Sequence, residues 1–315
     1  MPALSQHQSA TSTKVLLIGD SGAGKTGALA SLASAGFNLR ILDLDSGLDI
    51  LFNLLNDPKS PYTKDSISRV QYMTLTEPMK VVGGKLVPVK VDVWQRAMNL
   101  LYHWKEPPAV DLGQLTSWTS SDVLVIDSLS TFSTAAMNFV LSMNGRIGQR
   151  PHQSDFGQAQ DLVEGALQML FNDNIKCNVV VTAHIAYIGE ENGPTRGYPN
   201  ALGKALPPKI GRYFNTMLGV KSSGQGSAVK RKILTNTSGV IDLKNSAPLR
   251  VPPELPLETG LAEYFKLVRG TAPSSPSSST SPSGSQTTAT VVNPQAGMPV
   301  TLLGGTNVKA PTLAS

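Results

Sequence analysis

The sequence predicts an α/β fold with a mainly parallel central sheet, helices on both faces and a short antiparallel extension towards the C-terminal end of the core. Short, continuously apolar runs alternate along the chain with longer segments whose apolar residues recur at helical spacing. Continuous apolar runs are typical of strands that are buried on both faces, as in parallel sheets. Strands that alternate with helices in this way indicate a parallel sheet covered on both sides.

The individual elements follow from local signals. The first apolar run, residues 15–18, ends in a glycine, and Gly36 stops the Ala- and Leu-rich helix that follows it. Gly83 and Gly84 predict the turn of a hairpin over residues 79–91. The predicted strands cover residues 15–18, 39–44, 69–76, 122–127 and 178–182, with three short antiparallel strands at 216–221, 230–234 and 240–243. The predicted helices cover residues 26–35, 93–104, 131–143 and 155–171.

A phosphate-binding loop lies between the first strand and the first helix. The segment GDSGAGKT matches the complete P-loop pattern and consists of Gly19, Asp20, Ser21, Gly22, Ala23, Gly24, Lys25 and Thr26. Its glycines let successive backbone N–H groups and the N-terminus of the next helix face anionic phosphates. We expect Lys25 to reach the β- and γ-phosphates of ATP, and the Thr26 hydroxyl to bind Mg²⁺.

A second candidate metal residue closes the run DVLVID. Asp127 ends this buried strand and precedes Ser128. A carboxylate at the C-terminal end of a buried strand can hold the magnesium that accompanies a nucleotide on a P-loop. The alternative is that Asp127 only caps the following helix.

The order of these features resembles the RecA-like ATPase core. It is most similar to phage-encoded RecA-like nucleotide-binding proteins associated with recombination and single-strand annealing, over about residues 13–269. The resemblance implies that Asp45 orients the attacking water, in a position where most relatives have Glu, with Asp43 as the other candidate. It also implies that His184, where Gln is commoner, senses the γ-phosphate. Helix capping by the acids and a simple hydrogen-bonded histidine are the alternatives.

The resemblance further implies that two loops contact single-stranded DNA. The first, residues 144–153, carries Arg146 and Arg150, and the second, residues 186–203, carries Arg196 and runs into Lys204. Basic and aromatic side chains on loops suit single strands, because the charges track phosphates while the rings stack on bases. Flexible surface loops without a special role are the alternative.

Basic residues are concentrated in the last part of the core. Between residues 199 and 250 nine residues are basic and only Asp242 is acidic, although the net charge of the whole chain is only +5. Such a cluster favours an acidic partner such as a nucleic acid, with a solvated basic face as the alternative. Proteins of this class usually take a cation from a neighbouring subunit, which predicts a ring or a filament of identical chains. The candidate cations are Lys209, Arg212, Lys230, Arg231 and Lys232.

Composition predicts three parts: a flexible N-terminus at 1–12, an ATPase domain at 13–270 and a disordered Ser-, Pro- and Thr-rich tail at 271–315, whose only charge is Lys309. The tail is a candidate contact for a single-strand-binding protein, although it lacks an acidic end. No apolar run reaches the roughly 20 residues of a membrane span. The single cysteine, Cys177, and the lack of a signal sequence favour the cytoplasm.

Three functions remain open at this point. The first is an ATP-hydrolysing protein that binds single-stranded DNA in recombination, annealing or repair. The second is a helicase or helicase-loader motor on the same core, and the third is an assembly protein that uses ATP as a switch. A metabolic kinase is disfavoured because no acceptor-binding lid is evident.

Overall fold

A computed structural model describes residues 12–106, 108, 110–189, 194–224, 229–237 and 239–270. These residues lie in one compact unit that ends at Pro273. The predicted tail and all but the last residue of the predicted flexible N-terminus lie outside the described residues. Within the described part of the chain, no helix is long and apolar enough to cross a membrane.

The described residues form one eight-stranded sheet, which is mainly parallel. Its spatial order is β14 (Glu254–Pro256), β13 (Lys230–Leu234), β12 (Thr216–Ser223), β1 (Lys14–Gly19), β9 (Asn178–Ala183), β8 (Asp122–Asp127), β2 (Asn38–Asp43) and β3 (Val70–Thr74). All pairs from β12 to β3 are parallel, and β13 and β14 add antiparallel strands at one edge. The predicted fold class is therefore confirmed.

Helices cover both faces of the sheet. They are α1 (Lys25–Ser34), α2 (Asp49–Asn56), α3 (Val93–Tyr102), α4 (Leu129–Met143), α5 (Gln153–Leu170), α6 (Pro207–Ile210) and α7 (Leu257–Arg269). Val15 and Leu17 of β1 pack with α1, α2 and α7, whereas Leu16 and Ile18 pack with α3, α4 and α5. The continuous apolar run of β1 is explained by this double coverage, because successive side chains of a strand point to opposite faces.

Three two-stranded hairpins lie outside the main sheet. They are β4–β5 (Met79–Val82 and Lys85–Pro88), β6–β7 (His103–Glu106 and Val110–Gln114) and β10–β11 (Ile185–Ile188 and Arg196–Pro199). The first was predicted. The third lies within the second predicted DNA loop, so the described part of that loop is partly a β-hairpin. Hairpin β6–β7, strand β14 and helices α2, α6 and α7 were not predicted from the sequence either.

Two details of the predicted antiparallel extension are wrong. β12 pairs with β1 in parallel, so it belongs to the main parallel part of the sheet. The third predicted strand, 240–243, is not a strand: Ile241 forms only an isolated bridge with Gly197. The reason lies next to it, because the Thr237 hydroxyl accepts from the Leu243 N–H at 3.2 Å and donates to its carbonyl at 3.3 Å. A side chain thus takes the backbone groups that a strand would use.

Candidate active site

The phosphate-binding loop connects the end of β1 to the start of α1. Gly22 and Gly24 have φ angles of 73° and 111°, which other residues adopt only with strain. A Cβ on Gly24 would also lie 2.7 Å from Leu257 Cδ2, so a larger residue here would displace that side chain as well. No side chain caps the N-terminus of α1. The first N–H groups of that helix therefore remain available to an anion.

The Lys25 side chain is held by backbone carbonyl groups of the phosphate-binding loop. Its Nζ donates to the carbonyl oxygens of Gly19 at 2.9 Å and Asp20 at 3.0 Å, and lies 3.3 Å from His184 Nδ1. Burial lowers the pKa of Lys25, and the nearby carboxylates of Asp127 and Asp45 offset part of that effect. Lys25 is only 6% exposed, and its ammonium group has no acidic ion-pair partner within 4 Å among the described residues. This arrangement leaves its charge free for an incoming anion.

Asp127 lies opposite the loop and is bound by two hydroxyl groups. The Thr26 hydroxyl donates to Asp127 Oδ2 at 2.8 Å, and the Thr182 hydroxyl on the intervening strand β9 donates to Oδ1. Burial raises the pKa of Asp127, while the bonds from Thr182 and Thr26 lower it. The structure thus brings together two residues that are 101 positions apart, a hydroxyl and a carboxylate.

These two side chains fit a divalent cation. Hydroxyl and carboxylate oxygens are ligands that Mg²⁺ accepts, and Mg²⁺ usually keeps several waters and binds substrate phosphates as well. No cluster of three or more His, Cys, Asp or Glu residues that could hold a metal unaided occurs in the described residues. Thr26 and Asp127 would therefore hold Mg²⁺ together with a bound nucleotide.

The two candidate carboxylates after β2 have different environments. Asp45 faces the cleft, accepts a hydrogen bond from Thr131 and lies 3.6 Å from His184 Nε2. Asp43 is 2% exposed and accepts from the Thr74 hydroxyl at 2.9 Å and the Gly47 N–H at 3.2 Å. Asp45 is therefore available to a ligand, whereas both oxygens of Asp43 already accept hydrogen bonds within the fold.

His184 joins the cleft to hairpin β10–β11, which starts at the next residue. Its ring lies between Lys25 and Asp45, and its carbonyl accepts from the Asn200 N–H at 2.7 Å. The Ser130 hydroxyl accepts from the His184 N–H at 3.3 Å and donates to the Asn200 carbonyl at 3.0 Å. Both ends of the hairpin are thus attached to the start of α4, directly beside Asp127.

Lys25, Thr26, Asp45, Asp127 and His184 open into one cleft of about 1180 Å³. The apolar and aromatic side chains of Ile50, Leu54, Tyr62 and Leu257 line the same cleft. Burial and the charge of Glu258 raise the pKa of Tyr62 to about 12. These apolar lining residues could not be predicted from the sequence, because they come from two distant segments and carry no motif. A cleft that combines polar groups for phosphates with apolar side chains for a base suits a nucleotide.

Three of the four predicted DNA-contacting residues, Arg146, Arg150 and Lys204, belong to segments next to the N-terminal half of α5, whereas Arg196 lies on β11 beside Asp242. We call the described parts of residues 144–152, hairpin β10–β11 and the segment 200–204 the loop face. A Cβ on Gly203 would lie 3.2 Å from Gln160 Nε2 and 3.4 Å from Phe156 Cδ1, so the segment that ends at Lys204 packs on the first turns of α5. Residues 144–152 lead directly into the same helix.

The four predicted cations of the loop face differ in their partners. Arg150 and Lys204 are exposed, and neither forms an ion pair within the described parts of the chain. Arg146 is ion-paired with Asp155, a fully buried carboxylate at the start of α5. Arg196 is 3.1 Å from Asp242 Oδ2, and both side chains are largely exposed. Arg146 therefore also has a structural role, and only two of the four cations are unengaged.

Comparison with known proteins assigns the chain to a family. Residues 11–247 match the AAA domain family. No curated protein sequence matches this chain.

Several solved structures resemble the chain at low similarity. They include a KaiC-like protein from Pyrococcus horikoshii OT3, with 11% identity and a TM-score of 0.35 over 70% of this chain and 77% of that one. The RadB recombinase has 12% identity and a TM-score of 0.39 over 70% and 79% of the two chains. A type III secretion system ATPase from pathogenic bacteria has 11% identity and a TM-score of 0.38 over 67% and 52%. Scores this low support no functional argument.

The family match covers well over half of the chain, including the phosphate loop, Asp127 and His184. The chain belongs to the AAA domain family and is a P-loop NTPase.

Proposed function

We propose that the protein hydrolyses ATP with the help of Mg²⁺ and couples this reaction to the binding of single-stranded DNA on the loop face. The observation that carries the proposal is the position of His184, which contacts Lys25 and Asp45 on one side and begins hairpin β10–β11 on the other. A change at the γ-phosphate would reach the hairpin through one residue.

In the cleft, each predicted side chain has a distinct task. The amides at the start of α1 and the ammonium of Lys25 bind the phosphates. Thr26 and Asp127 would hold Mg²⁺, and the bound ion would supply positive charge that neutralises the phosphates. Asp45 accepts a hydrogen bond from the attacking water and orients it towards the γ-phosphorus. Aspartate is shorter than the glutamate of most relatives, and the bond from Thr131 fixes its position.

Coupling to the hairpin uses the hydrogen bonds around His184. When phosphate oxygens draw Lys25 towards them and the attacking water donates a hydrogen bond to Asp45, both polar neighbours of the imidazole change. The backbone of His184 is bonded to Ser130 and Asn200, so a shift of the ring is passed to both ends of the hairpin. The hairpin carries Tyr187, which is 53% exposed, and Arg196. An exposed aromatic ring and a cation suit a single strand.

The biological setting follows from the resemblance described above. Recombination, annealing or repair of single-stranded DNA fits a protein with a nucleotide-controlled loop face, and a ring or filament would align several such faces along one strand. A phage origin and a single-strand-binding protein as partner belong to the same proposal. A helicase or helicase-loader motor is the runner-up, and a nucleotide-switched assembly protein is the third candidate.

The test is the ATPase rate with and without a single-stranded oligonucleotide in low salt, for the wild type and for His184→Ala. We expect stimulation of the wild type, loss of stimulation in the variant, and oligonucleotide binding that weakens steeply with salt. Absence of both binding and stimulation in the wild type would refute the proposal. Unwinding of a tailed duplex would favour the helicase, and nucleotide-dependent capture of proteins without DNA binding would favour the assembly protein.

A further inference from the structure

The basic residues near the end of the core can be separated by their partners. Lys209 and Arg212 lie 3.9 and 2.5 Å from oxygens of Glu164, and Lys232 lies 2.5 Å from Glu254. Lys230 and Arg231 form no ion pair within the described residues, and both line the nucleotide cleft of their own chain. Of the five candidate cations in the sequence, only these two are both unengaged and beside the phosphate loop.

Strand β13 directs Arg231 towards the loop. Successive side chains of a strand point to opposite faces, so Arg231 shares its face with Ile233, which packs in the core with α1 and α7. The Cδ of Arg231 lies 3.0 Å from the position of a Cβ on Gly24. Glycine at position 24 thus leaves room for the stem of this arginine, and Arg231 lines the cleft next to the start of α1.

We propose that Arg231 contacts the phosphates of the bound nucleotide in its own chain and stabilises the charge that develops there during hydrolysis. The inference rests on the nucleotide-hydrolysing part of the proposed function. The sequence had predicted that a neighbouring subunit supplies this cation, whereas here the cation belongs to the same chain as the phosphate loop. A guanidinium group suits this role because it is permanently charged and offers several N–H donors to phosphate oxygens.

The hydrolysis of ATP requires a positive charge near the phosphates. Water adds to the γ-phosphorus through its oxygen, and the bond between that phosphorus and the β–γ bridging oxygen breaks. The electron pair of the broken bond stays on the bridging oxygen, giving the diphosphate and inorganic phosphate, while one proton of the water passes to Asp45 and then to solvent. Arg231 neither gains nor loses a proton, and it stabilises the negative charge that accumulates on the phosphate oxygens.

Three variants test the charge and the stem separately. Arg231→Met keeps a long side chain against Gly24 and removes the charge, and we expect kcat for ATP to fall about a hundredfold with a much smaller change in KM. Arg231→Lys should keep part of the rate. Lys232→Met is the matched control: it neutralises the next residue of the same strand, whose partner is Glu254 outside the cleft, and we expect the wild-type rate.

Mixing two inactive variants decides whether the arginine acts within its own chain. Lys25→Ala chains carry an intact Arg231 but a defective phosphate loop, and Arg231→Met chains have the opposite defect. The mixture should hydrolyse ATP no faster than Arg231→Met alone, and the rate per wild-type chain should not depend on protein concentration. Recovery of activity on mixing would show that the cation comes from a neighbour and would overturn the inference.

The remaining outcomes are also decisive. An Arg231→Met variant that is folded by circular dichroism and as active as the wild type overturns the inference and leaves the proposed function intact. A wild type that does not hydrolyse ATP overturns both.

Discussion

Charged side chains in the nucleotide cleft find their partners differently from those on the loop face. In the cleft, Thr26 bonds to Asp127, and His184 lies between Lys25 and Asp45. Asp127 and His184, which follow the ends of two different strands, contact the phosphate loop, and Asp45 contacts His184. On the loop face, two of the predicted cations are paired with acids of the chain itself, and two are exposed without an ion pair in the described residues.

This difference indicates that the nucleotide cleft is preorganised for its ligand, whereas the loop face is not. The cleft side chains already lie within 4 Å of one another, and such preorganisation is a large part of electrostatic catalysis. The loop face supplies positive charges but no comparable set of preformed contacts. We therefore expect substitutions in the cleft to act on the reaction by large factors, and substitutions on the loop face to act by small, salt-dependent ones.

The largest effect should come from Lys25. Lys25→Ala removes the one buried ammonium group beside the loop among the described residues and should lower kcat/KM for ATP on the order of 10²–10³-fold. The measurement is a steady-state phosphate-release assay, with the folded state of the variant checked by circular dichroism. A variant that keeps more than half of the wild-type rate would remove the basis for the comparison.

The next largest effect should separate the two carboxylates after β2. Asp45→Asn should lower kcat on the order of a hundredfold while leaving the melting temperature close to that of the wild type, because Asp45 faces the cleft. Asp43→Asn should do the reverse and lower the free energy of unfolding by about 1–2 kcal/mol, because Asp43 is buried and accepts two hydrogen bonds. If the two variants exchanged their effects, Asp43 would be the catalytic carboxylate.

A smaller effect is expected on the loop face. The double variant Arg150→Ala and Lys204→Ala should weaken oligonucleotide binding and reduce the slope of log K against log salt by about 0.7 for each lost phosphate contact. The ATPase rate without DNA should stay unchanged. Arg146→Ala is the informative comparison, because it leaves the buried carboxylate of Asp155 without its cation and should chiefly lower the melting temperature. An unchanged salt slope in the double variant would show that DNA, if bound, lies elsewhere.

The smallest effect concerns stability in the absence of nucleotide. Burial raises the pKa of Asp127, so the folded chain binds its proton more tightly than the unfolded chain. The free energy of unfolding then falls as the pH rises from the unfolded-state pKa through the raised folded-state pKa, and it stays lower at neutral pH. Asp127→Asn should therefore raise the free energy of unfolding at pH 7, and the gain should shrink in acid. Urea unfolding at several pH values measures this, and a variant less stable than the wild type at pH 7 contradicts it.

The sequence allowed the phosphate loop to be placed because its eight residues are contiguous and each has a local reason. The strands and helices of the sheet were also predictable, since their apolar spacing is a local property. Which of Asp43 and Asp45 faces the cleft could not be predicted. Residues two apart share a face only while the strand continues, and β2 ends at Asp43. The chain therefore turns between the two acids and sends one inward and the other into the cleft.

Pairing between distant residues was the other limit. The partners of Arg196 and Lys232 lie 46 and 22 positions away, and no sequence pattern shows that these charges are engaged. That Arg231 packs against Gly24 is equally invisible in the sequence, because the two residues are 207 positions apart. Helix α2 was missed because its 8 residues carry no side-chain cap.

The central claim is that Thr26 and Asp127, brought to within 2.8 Å by the fold, hold a metal against a triphosphate. Calorimetric titration of a non-hydrolysable ATP analogue into the wild type and Thr26→Val, each with and without Mg²⁺, tests it most directly. Mg²⁺ should tighten binding to the wild type, and Thr26→Val should lose at least about tenfold of that gain while keeping the Mg²⁺-free affinity. Equal Mg²⁺ dependence in the two proteins, or no nucleotide binding by the wild type, would contradict the claim.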